Sequence, residues 1–140
     1  MRVMAIDYGG RRVGLALSDR LGLTAQPYAV IDRKGKSQEE LIAQILEIIR
    51  REGVDEIAVG LPVSLNGSEG EAAAIIRRFA EALASAANVP LSYEDERLTT
   101  AMANRALIEG NVGARKSKGL VDKVAASIIL QSYLEKKRAR

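Results

Sequence analysis

This chain has no cysteine and no histidine, and the second absence narrows its chemistry more than the first. Without cysteine there is no disulfide framework and no thiolate metal site. Without histidine, imidazole zinc centres, Ser-His-Asp triads and Cys-His pairs are all excluded. An enzyme built from this sequence must work with carboxylates, hydroxyls, amines, guanidinium groups or a metal held by oxygen, and hard oxygen ligands suit Mg2+ or Mn2+. Aromatics are scarce: four tyrosines, Phe79 and no tryptophan. Little is left for stacking on bases, so any nucleic acid would be held through its shape and its phosphates. No apolar run approaches transmembrane length, and the N-terminus lacks the tripartite layout of a signal peptide. The expectation is a cytoplasmic protein.

What is present is ordinary in amount and uneven in placement. The 140 residues, 47% hydrophobic and 28% charged, fit one domain with a real core but not two substantial lobes. The net charge of +3 and pI near 9.3 are compatible with a polyanionic partner. Basic residues gather at Arg11-Arg12, at Arg33-Lys34 with Lys36, at Arg115-Lys116 with Lys118, and in the tail Lys136-Lys137-Arg138 with Arg140. The tail, from about 135 to 140, reads as a loosely attached solvated segment. The groups at 11–12 and 115–118 weigh more, because both lie beside candidate acids.

Periodicity gives the order of elements. Three extended segments at roughly 2–7, 12–18 and 25–31, with turn signals at Gly9-Gly10 and from Asp19 to Gly22, predict an antiparallel meander. Ser37 and Glu40 form a capping box ahead of Leu41, Ile42, Ile45, Leu46, Ile48 and Ile49 at helical spacing, and Gly53 supplies the stop. Ile57-Ala58-Val59 reads as a buried strand, and Ser68 with Glu71 as a second capping box for an alanine-rich helix to Ala87. Val89 to Glu94 returns to strand, Thr99 or Thr100 caps a helix to about Glu109, and a last helix runs from about Lys118 to Lys136. A meander followed by alternating helix and strand predicts an α/β fold: one mixed sheet with helices on both faces.

The first strand ends in a feature that calls for explanation. Val3-Met4-Ala5-Ile6 leads into Asp7, and a carboxylate at the end of a buried strand is costly unless its charge is compensated. Glycines at 9, 10 and 14 leave room for a ligand or another backbone to come close. Two further sources of acid converge on the same region: Glu94, Asp95 and Glu96 at the end of the last strand, and Asp122 near the start of the final helix, whose i+3, i+4 and i+7 neighbours are apolar. Each has a plain structural alternative. Asp122 in a first helical turn meets the helix dipole, and Asp7 can bond its own hairpin. Asp95 and Glu96 cannot both face one site on an extended strand. Three carboxylates without histidine can bind two divalent ions and activate water against a phosphodiester, with Arg11, Arg12, Arg115, Lys116 and Lys118 contacting phosphates.

Ala5-Ile6-Asp7-Tyr8-Gly9 through Gly14-Leu15-Ala16, Val59-Gly60-Leu61-Pro62 with Asn66-Gly67-Ser68, Asp95-Glu96-Arg97-Leu98-Thr99-Thr100, and Lys118-Gly119-Leu120-Val121-Asp122 with Ala125-Ala126 together resemble the YqgF family. Members are described as pre-ribosomal-RNA nucleases and as Holliday-junction-resolvase-like proteins. The resemblance covers nearly the whole chain in order. It implies a ribonuclease H-like fold with a five-stranded sheet, and a catalytic and metal-binding triad at Asp7, Glu96 and Asp122. It also implies processing of the small-subunit ribosomal RNA precursor; resolution of branched DNA, which would need a dimer, is the alternative. Of the pair at the strand end, Glu96 has the longer reach, while Asp95 suits a turn anchor. Two readings from other classes stand beside this one. A non-catalytic RNA-binding factor would use the same basic residues, and an actin-like ATPase would need a second lobe for which the chain has no room.

Overall fold

Strict alternation in the first strand sets the architecture. The computed structural model describes residues 1–62, 69–95 and 114–139, the segment 114–121 by its backbone alone. Within β1 (Val3–Tyr8), Met4 and Ile6 point to one side of the sheet and Val3 and Ala5 to the other, and both sides are buried. A strand apolar on both faces belongs at the centre. The sheet order is β3-β2-β1-β4-β5, with β1 in the middle. β2 (Arg12–Ser18) and β3 (Ala25–Asp32) run antiparallel to their neighbours. β4 (Glu56–Leu61) and β5 (Leu91–Asp95) run parallel to β1. Pro27 sits on β3, at the edge, where a missing N–H costs no central ladder bond. The five-stranded mixed sheet with helices on both faces is the ribonuclease H-like α/β fold.

Each face is matched to its helices by side-chain size. Helices α1 (Gln38–Glu52) and α2 (Glu71–Ala87) cover the side lined by Met4, Ile6, Leu15, Ile57 and Val59. Helix α3 (Ala114–Arg138) covers the other side, where the strands offer Ala5, Ala16 and Ala58. Short side chains there let one long helix lie close to the sheet, and Ala126, Ile129, Leu130 and Leu134 fill the contact.

Helix ends follow the sequence at α1 and at α2 (Glu71–Ala87), and depart from it at the start of the last helix. Ser37 caps α1 through its hydroxyl on the Glu40 N–H, Glu40 bonds back, and Gly53 closes the helix in the left-handed region (φ 66°). Helix α2 starts after Gly70, with no side-chain cap; Ser68, expected to serve, lies outside the described residues. So does the helix expected to about Glu109. The final helix begins at Ala114, earlier than the sequence suggests.

The expected loose tail is a correction. Residues 136–138 are the last turn of α3, and each is tied down. Lys136 Nζ lies 2.8 Å from Glu94 Oε2, Lys137 donates to Glu56, and Arg138 donates to the Leu23 carbonyl at 3.0 Å. Charge composition reads as solvation, but two buried acids on the strands beneath supply the partners. Among the described residues no helix is long and apolar enough to cross a membrane.

Candidate active site

A single glycine brings two of the three candidate acids together. Asp7 continues the alternation of Val3 and Ala5, so it stands on the α3 side of β1, and its partner across the hairpin is Gly14. The backbone of α3 passes directly over that position. A methyl group on Gly14 would lie 2.2 Å from the Asp122 carbonyl oxygen and 3.3 Å from Asp122 Cβ. Only a residue without Cβ permits the approach. Asp7 is the cross-strand partner of Gly14 and Asp122 lies over Gly14, so the two acids flank one position of the hairpin. The glycine at 14, legible in the sequence as a place of close approach, is what seats the helix.

The early start of α3 changes how Asp122 is understood. At 3.6 residues per turn, Asp122 lies more than two turns inside the helix and not in its first turn. The helix dipole acts within the first turn, so it does not account for this carboxylate. Asp122 has a different partner. Arg12 Nε donates to its Oδ2 at 2.6 Å, with the two side chains 32% and 18% exposed. This is a short charge-assisted bond in a half-dry setting. The sequence offers Arg12 to a phosphate; here it rests on an acid, a pairing across 110 positions that no local pattern announces.

The remaining candidates separate by strand parity. Asp95 pairs with Leu61, whose side chain belongs to the core under α1 and α2, so Asp95 lies on the face away from Asp7. Glu94 does lie on the α3 face, but it is buried and accepts from Ser132 Oγ at 3.2 Å and Lys136 Nζ at 2.8 Å. It fastens the helix. Buried Glu56, which accepts from the Tyr133 hydroxyl at 3.0 Å, does the same one strand away. Ser132 with Lys136, and Tyr133 with Lys137, each spaced by four on the final helix, were the available signal for these anchors. Glu96 lies outside the described residues. Arg11 is two-thirds exposed, 3.8 Å from Asp32 Oδ2. Arg115, Lys116 and Lys118 occupy the first turns of α3, ahead of Asp122.

The donor set gathered so far is two carboxylates. Among the described residues no group of three His, Cys, Asp or Glu side chains gathers to hold a metal. Asp7 and Asp122 are hard oxygen donors, and no nitrogen or sulfur ligand competes with them in a chain without histidine or cysteine. Such donors fit a magnesium- or manganese-class cation.

Residues 1–136 match the family model described as RuvX, Holliday junction resolvase. The chain belongs to this family, also known as YqgF. A relative from Halothermothrix orenii, provisionally named a pre-16S rRNA nuclease, is 48% identical over 134 residues, covering 96% of this chain and 94% of the relative. One from Moorella thermoacetica with the same provisional name is 43% identical over 136 residues, covering 97% and 96%. Among solved structures, Thermus thermophilus RuvC in complex with a Holliday junction substrate superposes with a TM-score of 0.64 at 18% identity, covering 99% of this chain and 96% of that one. At that identity the likeness concerns the fold. Within a YqgF-family fold, the Asp7–Gly14–Asp122 contact ties the end of the central strand to the final helix.

Proposed function

We propose that this YqgF-family protein is a divalent-metal-dependent nuclease that hydrolyses phosphodiester bonds. Its substrate on this reading is the 5' end of the small-subunit ribosomal RNA precursor, in the cytoplasm. The observation that carries the reaction class is the seating of Asp122 on Gly14, beside Asp7. Two carboxylates flanking one glycine repel unless a cation stands between them or beside them. The relatives' provisional names support the RNA substrate.

On this reading Asp7, Asp122 and Glu96 hold Mg2+ or Mn2+. Asp95 facing the opposite side of β5 supports Glu96 as the third acid. When bound there, the metal supplies Lewis-acid polarisation of a phosphoryl oxygen and lowers the pKa of water. The chain's own residues do the positioning. Asp7 and Asp122 orient the attacking water through their fixed carboxylates. Arg11, Arg115, Lys116 and Lys118 hold neighbouring phosphates, and Arg12, starting from Asp122, is within reach of the same charge.

A second reading, resolution of branched DNA, is favoured by the family description and by the resolvase fold. Symmetric cuts would require two copies of the chain. The two readings separate on one assay: wild type and Asp7→Asn on structured precursor RNA and on a four-way DNA junction, each with magnesium or manganese. Metal-dependent cleavage of the RNA that Asp7→Asn abolishes supports the first reading. Paired cleavage of the junction with the RNA left intact supports the second. Cleavage of neither, with tight RNA binding retained, would make the protein a binding factor.

A further inference from the structure

The basic group at Arg33, Lys34 and Lys36 is used by none of the chemistry above, and the fold places it against the hairpin that follows Asp7. The Arg33 N–H donates to the Arg11 carbonyl at 2.7 Å, joining the end of β3 to the start of β2. Arg33 Nη1 then donates to the carbonyls of Gly9 at 2.8 Å and Gly10 at 3.2 Å, and its guanidinium lies 4.4 Å above the Tyr8 ring. A guanidinium fixed on carbonyls and stacked on an aromatic ring has already lost much of the freedom that binding would cost it. Gly10, Arg11, Arg33 and Lys34 line an open cleft of about 330 Å³ at this place. Nothing lies within 4 Å of where a Gly10 side chain would begin, so the floor of the cleft is open backbone.

The charge of the cleft is largely uncompensated. Asp32 is its acid, and it is held by the Lys34 N–H at 2.9 Å and more loosely by Arg11. Its carboxyl stays below the usual range, first because of that N–H and then because of Arg11 and Lys36, so it remains an anion that only partly offsets the cations around it. A second arginine-lined hollow, at the opposite end of the strands, differs. There Arg2 and Arg51 are already paired with Glu52, and Asp55 accepts the Arg2 N–H.

Position gives the cleft its role. Tyr8 follows Asp7 and points to the other face of the sheet, so the hairpin tip is the rim between the Asp7–Asp122 face and the face covered by α1 and α2. A chain of phosphates lying over Asp7 and Asp122 that continues across the rim enters the cleft. We infer that the cleft of Gly10, Arg11, Arg33 and Lys34 is a second phosphate-binding site, which holds the nucleic-acid backbone beyond the point of cleavage. It rests on the nuclease reading for its substrate class. Its ligand is the phosphodiester backbone, so RNA and DNA are both admitted and base sequence is not read.

The test is affinity as a function of salt, on the full chain, with calcium in place of magnesium. The probes are a structured precursor RNA, a sequence-scrambled version with the same folding pattern, and a four-way DNA junction. Lys34→Gln with Lys36→Gln removes two exposed charges that the nuclease reading does not use, and leaves Arg11 and the Arg33 anchor intact. Arg20→Gln with Arg50→Gln removes the same charge at the opposite end of the strands. Each lost phosphate contact flattens the salt slope by about one unit, so the advantage of wild type over the cleft variant should shrink about tenfold between about 50 and 200 mM salt. The loss should be alike for the two RNA sequences, while the control variant keeps the wild-type slope. Arg33→Lys, which keeps the charge without the fork, should weaken binding less than the double variant. Equal slopes for cleft and control variants, both shown folded by circular dichroism, would overturn the inference. Loss confined to one RNA sequence would overturn it too, since that is base reading. Its failure is distinct from failure of the nuclease reading: inert Asp7 and Asp122 with a flattened cleft slope leave the cleft standing and remove the catalysis.

Discussion

At the residue scale, Gly14 seats the final helix and Arg12 holds Asp122. Gly14→Ala puts a methyl group 2.2 Å from a backbone carbonyl of α3, and neither strand nor helix can yield locally. The cost should reach the upper end for overpacking, roughly 3 kcal/mol or more. Urea denaturation measures it, and a loss well under 1 kcal/mol would mean that α3 does not sit on β2 as described. Arg12 is the internal counter-cation of Asp122. A divalent ion must therefore displace it or share the carboxylate with it. Arg12→Gln is expected to tighten manganese binding, by up to roughly tenfold, one decade being about 1.4 kcal/mol. Calorimetric titration of the metal-free protein gives the number. Weaker binding would instead show that Arg12 orients Asp122 for the ion.

At the scale of elements, caps and turns are separable contributions. Ser37→Ala removes the hydroxyl that satisfies the Glu40 N–H and should cost about 1 kcal/mol, read from the shift in urea midpoint. The turn after β2 is held by Asp19, whose Oδ1 accepts from the Leu23 N–H at 2.6 Å and the Thr24 N–H at 2.9 Å. The Thr24 bond is the main reason its carboxyl sits below the usual carboxylate range. A lowered folded pKa contributes stability that is present above the unfolded value and is lost as pH falls through the folded one. Asp19→Asn should therefore flatten the stability profile below about pH 4 and leave it parallel to wild type at neutral pH. Thermal unfolding across that range tests it. These elements were the most legible in the sequence. The Ser37–Glu40 box and Gly53 mark α1 by chemistry confined to neighbouring residues. The bounds of α2 were legible too, but its cap and the start of α3 were less so. Gly70 caps without a side chain, and the first turns of α3 carry no apolar stripe that periodicity could detect.

At the scale of the whole molecule, the meander and the mixed sheet were legible, because short links join the first three strands and an unbroken apolar run such as Val3–Ile6 is buried on both faces. The order of the strands came from the structure. Asp7 was legible for the same reason, as a charge in a place that excludes charge. The helix over it was not. The Arg12–Asp122 bond, the buried acids Glu56 and Glu94, and their partners in the last two turns of α3 join residues 38 to 110 positions apart. Long-range pairs of this kind leave only opposite charges at distant sites, so the basic tail read as solvated when it is the clamp of the final helix.

On the proposed function, Asp7 and Asp122 serve one cation. The most direct measurement is the thermal unfolding midpoint with and without manganese, for wild type, Asp7→Asn and Asp122→Asn. An ion that binds only the folded state adds about 2.7 kcal/mol at a hundredfold excess over its dissociation constant. Manganese should raise the midpoint of wild type, and each substitution should remove most of that rise. A manganese-dependent rise that persists unchanged in both variants would place the cation elsewhere and contradict the account.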